Sequence, residues 1–237
     1  MKRFFFVAVS ILLLSCLAAA DIHIKAKSHS DAFTVMGQTQ PEKNEIIDQW
    51  VGDNRFASHS PDQSTVIDLN KNLLYFINHQ DKTYVEASLP LDLGKLMPPE
   101  MVQMMGMMKV AVTVNPLGQT KTVGSWKCTG YEVGISMMMM PLKMTVWAST
   151  DVPFNVDQFN EKFMNNVLKL QMRIDDQNLA ELRKIKGYWI AYEQTAEFMG
   201  AKMHTTYEVT SITKENPPAS IYTVPTGYTK SDKLKLR

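Results

Sequence analysis

The sequence predicts an α+β fold: a strongly curved, incomplete antiparallel β-barrel of about 10–11 strands, with two helical insertions forming a lid over an apolar cavity. Three observations predict it. Short β-rich runs are divided by compact turn signals, two stretches switch to a helical period, and strands never alternate with helices as parallel βαβ units require. A sheet of that width cannot stay flat, so it curls and the helices pack on its concave face.

Residues 22–84 read as successive short strands. Segments 44–51 and 55–60 flank Gly52-Asp53-Asn54, a hairpin signal. Strands over 64–69, 73–78 and 83–87 follow, divided by turns at 68–72 and 79–82. Pro98 and Pro99 suit a helix start, and Met97, Met101, Met104, Met105 and Met108 recur on one helical face. Segments 109–114 and 119–123 read as two strands around an Asn115-Pro116-Leu117-Gly118 turn, followed by strands over 126–135 and 137–148.

The second helical region begins after Asp151-Val152-Pro153. Phe154, Phe159, Phe163, Val167 and Leu170 give its apolar stripe, with Asn155 or Asp157 as the cap, and Leu179, Leu182 and Ile185 lead to a stop at Gly187. Strands over 188–198 and 202–213 pair around Met199-Gly200-Ala201, 220–224 adds a short segment, and the tail after Gly227 reads as frayed.

Residues 1–20 read as an export signal: Lys2 and Arg3, an apolar stretch over 4–14, then Ala18-Ala19-Ala20 as a small-residue cleavage site. This predicts a single periplasmic domain over 21–237. The alternative is lipid anchoring at Cys16, because Leu13-Leu14-Ser15-Cys16 has the form of a lipobox. No later run is long and apolar enough to predict a transmembrane span. With Cys16 removed or acylated, Cys128 remains alone and reads as a buried thiol.

Lys+Arg 25 against Asp+Glu 24 leaves no basic field for phosphates, which excludes a dedicated nucleic-acid binder. There is no G-x-S-x-G, phosphate loop, H-E-x-x-H or C-x-x-C, so the expectation is a non-enzyme without a cofactor. His23, His29, His59, His79 and His204 are spread singly along the chain and read as surface or turn histidines.

The compositional signal is methionine: 17 in the chain, eleven of them from Met97 to Met144. Thioethers are flexible and apolar, so Met101, Met104, Met105 and Met108 are the expected lid contacts to an acyl chain, lipid or lipoprotein. Trp147, Phe159 and Phe163 are the expected cavity wall. Two alternatives come from other classes. Thioethers also suit Cu(I), which makes Met101, Met104, Met105 and Met107 candidate ligands of a copper-handling protein. An envelope sensor or scaffold is the other.

Several segments carry a family resemblance: Val66-Ile67-Asp68-Leu69-Asn70-Lys71 through Tyr75, Asn78-His79-Gln80-Asp81-Lys82-Thr83-Tyr84, the Met-rich lid, Thr122 to Tyr131, Met144 to Pro153, and Pro218 to Tyr228. Together they resemble a bacterial exported family of unknown function, whose fold is similar to that of the outer-membrane lipoprotein carriers. The resemblance implies an incomplete barrel with helices over an apolar cavity, and it transfers no catalytic residue.

Overall fold

A computed structural model describes residues 20–107, 110–137, 140–172, 174–198 and 200–234. Residues 1–19 of the segment read as an export signal, Cys16 among them, and Met108 lie outside the described residues. The chain begins with β1 (Asp21–Ser30), the short β2 (Phe33–Val35) and β3 (Gln38–Gln40), then β4 (Lys43–Val51), β5 (Arg55–His59), β6 (Gln63–Asp68), β7 (Leu73–Asn78) and β8 (Thr83–Ser88). Helices α1 (Leu93–Leu96) and α2 (Pro99–Met107) follow, then β9 (Val110–Val123), β10 (Trp126–Met137) and β11 (Met140–Ser149). The second helical region is α3 (Val156–Phe159), a π-helical turn (Asn160–Met164), α4 (Asn165–Met172) and α5 (Asp176–Leu182). The chain closes with β12 (Tyr188–Phe198), β13 (Ala201–Glu215) and β14 (Thr229–Lys230).

Twelve of these strands form one large curved sheet in the order β14-β8-β7-β6-β5-β4-β1-β13-β12-β11-β10-β9, and β2 pairs with β3 separately. The sheet does not close into a barrel; β9 and β14 are its edges. The described strands exceed the expected 10–11 because β2, β3 and β14 are two or three residues long, too short to leave a periodic pattern. β1 lies mid-sheet between β4 and β13, joining the N-terminal meander to the C-terminal hairpins.

Three expectations need correction. The Asn115-Pro116-Leu117-Gly118 segment does not turn: β9 runs through it, and the register slips from Thr120 opposite Thr129 to Pro116 opposite Tyr131. An edge strand tolerates this, since Pro116 needs no outward partner and Gly118 takes φ +65° inside the bulge. Met97 is not on the α2 stripe; it is extended, at φ −116° and ψ 155°, because the residue before a proline is pushed out of the helical region. The short segment 220–224 begins as a turn. The tail after Gly227 is not frayed as far as Leu234: β14 pairs in parallel with β8, and the buried Leu234 donates its N–H to Leu96.

The spacing of five between Phe154 and Phe159 has a local cause. Asn155 is the N-cap, accepting from the Gln158 N–H, which puts Phe154 just before the cap and Phe159 in the first turn. Their rings meet edge to face at 5.5 Å as a hydrophobic staple. The π-helical turn then stretches the repeat, so that Phe159, Phe163 and Val167 all face the sheet at intervals of four.

Each face of the sheet is covered in part. Ile22, Ile24 and Ala26 of β1, Phe56 of β5 and Ile67 of β6 face inward against Phe159, Phe163, Val167 and Leu170. Outward-facing Trp50, Ala57, Val66 and Ile77 form a second, smaller core beneath Ile221, Tyr222, Val224 and Tyr228 of the C-terminal segment. That segment is a strap across the outer face.

At the far edge, α5 covers part of β9. The buried Asn178 accepts from the Val112 N–H at 2.8 Å and donates to the Val110 carbonyl at 3.0 Å, so its amide stands in for a neighbouring strand.

Candidate functional site: a cavity between the sheet and the second helical region

A cavity of about 230 Å³ lies between the inner face and α3–α5. Its sheet wall includes Ile47, Phe56, Met144, Trp189, Tyr192 and Tyr207; its helical wall includes Phe159, Met164, Val167, Leu179 and Leu182. The polar atoms at its floor are already paired. Tyr188 donates its hydroxyl to Gln49 Oε1 at 2.7 Å, and the Gln49 amide reaches Ser58 Oγ at 3.5 Å. Burial drives the Tyr188 and Tyr207 hydroxyls well above the ordinary tyrosine range, so both are neutral donors. Tyr192 and Tyr207 stack with centroids 4.9 Å apart, making a flat wall. Among the described lining residues, Arg183 is the single charged one.

Phe159 therefore lines the cavity. Phe163 is core: it is 1% exposed and stacks on Phe56 at 5.8 Å. Met101 packs against the same core. The side chains of Met104, Met105 and Met107 lie outside what the structure describes, as does all of Met108. Sequence reasoning missed Met144, Trp189, Tyr192 and the α5 leucines as cavity residues. The inward alternation of Tyr188, Tyr192 and Gln194 along β12 was a usable signal.

Trp147 occupies a different depression. A half-open groove of about 430 Å³ on the outer face is lined by Lys27, Ile46, Lys121, Trp147, Glu193 and Glu208, among others. The register aligns Ile46, Lys27, Glu208, Ala191, Trp147 and Gly130 in one row across the strands. The Lys121 ammonium lies 4.2 Å from the centre of the Trp147 ring. This groove is larger and carries several charged side chains, whereas the described lining of the inner cavity carries one, Arg183.

The histidines are not isolated. His23 is buried, stacked on Trp50 at 4.0 Å, with Asp48 and Glu215 at its two ring nitrogens. His29 and His204 share Asp31. His59 and His79 flank the buried Ser64 Oγ at 2.8 and 2.6 Å. The strands that separate these residues in sequence bring them together through register, which spacing along the chain does not report. Among the described residues, no group of three or more His, Cys, Asp or Glu is arranged to hold a metal ion.

The His59–Ser64–His79 chain fastens the strap, and its direction follows from one end. His59 Nε2 lies 2.9 Å from the Ile221 carbonyl, so Nε2 carries the proton and Nδ1 accepts from Ser64. Ser64 Oγ then accepts from His79 Nε2, and His79 Nδ1 accepts from the Tyr228 hydroxyl at 2.9 Å. Both rings are neutral in this arrangement, and burial holds both below the ordinary imidazole value, against the opposing pull of Asp48 on His59 and Asp62 on His79. A base with a depressed folded-state pKa supports the fold above its unfolded value of about 6.5 and loses that support as pH falls. His29, raised by hydrogen bonds to Asn44 and Asp31, acts in the opposite sense. The readout must therefore be local. Amide exchange over 220–228, corrected for intrinsic pH dependence, is expected to speed up as pH drops below about 6.5; unchanged protection down to pH of about 5 contradicts the latch.

Residues 35–228 match a domain of unknown function, DUF4412, and the chain belongs to that family. No curated protein matches the chain significantly. Among the described residues no helix is long and apolar enough to cross a membrane.

Proposed function

We propose that this is a non-enzymatic periplasmic protein that holds an apolar ligand, an acyl chain or lipid, between the inner face of its sheet and α3–α5, with those helices serving as the lid of a half-barrel. The cavity is the observation that carries this reading. Its lining is mostly apolar, Tyr188, Gln49 and Ser58 are paired with one another, and its volume of about 230 Å³ is slightly below the range of sites that engulf drug-sized molecules. That size favours a single chain over a bulky multi-chain lipid. Each methylene withdrawn from water contributes about 0.8 kcal/mol, and Met144 and Met164 in the wall can repack around chains of different shape. The π-helical turn supports the same reading, since such turns recur at functional sites and this one presents Asn160 and Met164 to the cavity. The resemblance of the sequence to an exported family whose fold is similar to that of the lipoprotein carriers, together with the signal-like N-terminus, supports export and carriage.

The test is native mass spectrometry and lipid extraction of protein purified from the periplasm, repeated for Val167→Phe. Val167 is buried and lines the cavity, so the larger ring fills it at a cost of about 1–3 kcal/mol in stability. The expected result is a co-purified apolar ligand with the natural residue and its loss in the folded variant. A ligand-free protein that takes up no acyl chain on titration contradicts the reading.

A further inference from the structure

Resting on that reading, we infer that the ligand is a single-chain amphiphile with an anionic head, and that Arg183 receives the head at the cavity mouth. Apart from Arg183 the lining has no charge to offer: Tyr188, Gln49 and Ser58 are hydrogen-bonded in a row, Asn160, Asn165 and Gln194 are neutral, and the other lining residues are aromatic, aliphatic or glycine. A charged head therefore finds no opposite charge deeper inside. Arg183 is the charged residue among the described lining, and it is solvent-exposed, so it marks where the cavity meets water.

Its surroundings leave its charge available. Arg183 caps α5 through its backbone N–H, which bonds the Glu181 and Leu179 carbonyls, so the guanidinium is not needed to end the helix. Asp176, whose carboxyl lies in its field, is tied to Lys169 at 2.8 Å. Glu181 is tied to Lys184 at 2.7 Å. Lys186, exposed on the same turn, adds a second positive charge. The turn between α5 and β12 thus carries Arg183, Lys184 and Lys186 with one of the three neutralised locally. A guanidinium presents a planar fork that carboxylate and phosphate oxygens both match, and a low-dielectric wall strengthens the attraction.

Carboxylate and phosphate heads share this chemistry, so both are tested. Binding of laurate, dodecyl phosphate, dodecanol and dodecyltrimethylammonium is measured by calorimetry below micelle formation, with the natural protein and with Arg183→Gln. The expected result is about tenfold or tighter binding of at least one anion over dodecanol, with the cation weakest. Arg183→Gln should erase that margin and leave dodecanol binding unchanged. Whichever anion meets the margin identifies the head. Equal binding of all four, a preference for the cation, or a margin that survives Arg183→Gln overturns the inference while the apolar cavity stands. If none of the four binds, the cavity reading itself fails, and this inference with it.

Discussion

Replacing Gly187 with alanine is expected to cost the domain most of its stability. Gly187 lies between α5 and β12 at φ +104°, and a Cβ built there meets the Ser149 carbonyl carbon and oxygen at 2.5 Å and the Thr150 nitrogen at 2.9 Å. Two costs add. The left-handed backbone alone strains a side chain by about 1–2 kcal/mol. The clash is with backbone, which cannot rotate aside, so β11 and β12 must separate where Tyr188 enters the inner core. Gly200 provides the control: at φ +80° it carries similar strain, but nothing lies within 4 Å of its Cβ position. Gly200→Ala should lose only about 1–2 kcal/mol in denaturant unfolding, and Gly187→Ala should lose clearly more or fail to fold. Equal losses would show that β11 is not packed against this turn.

Phe163→Ala should have the next largest effect, a loss of about 3–5 kcal/mol. Phe163 is 1% exposed, and its neighbours Phe56 and Phe159 hold fixed ring positions around it, so the space it leaves cannot collapse fully. For a domain of this size the loss lowers the melting temperature by about 6–20 °C. Phe159→Ala differs in kind, because Phe159 lines the cavity: it should weaken acyl-chain binding as well as stability. A Phe163→Ala protein that melts within about 2 °C of the original contradicts its placement in the core.

Much of the fold was legible because local chemistry and tertiary packing agree. The Gly52-Asp53-Asn54 hairpin, β7, β8 and β12 follow from alternation and turn residues, and Asn155 and Gly187 bound the second helical region as their chemistry requires. The misreadings have a common cause. Pro116 and Gly118 do signal a turn locally, but an edge strand absorbs them as a bulge because β10 needs bonds from only one side of β9. The tail has no apolar period, yet Thr229 and Lys230 pair with β8 because the strap delivers them there.

The site was less legible for the same reason. A methionine stripe on α2 is visible in sequence, whereas the cavity forms where β4, β11, β12 and β13 converge on α3–α5. Only register brings Ile47, Met144, Tyr192 and Tyr207 to one surface. Likewise His59, Ser64 and His79 meet because β5, β6 and β7 are adjacent in the sheet.

The most direct test of the central claim is photocrosslinking with a diazirine-bearing fatty acid, followed by peptide mapping. Adducts are expected in the cavity wall: around Met144, within 156–168, and within 179–194. Adducts gathered instead on the outer groove at Lys27, Ile46 and Trp147, or spread evenly over the surface, would contradict it.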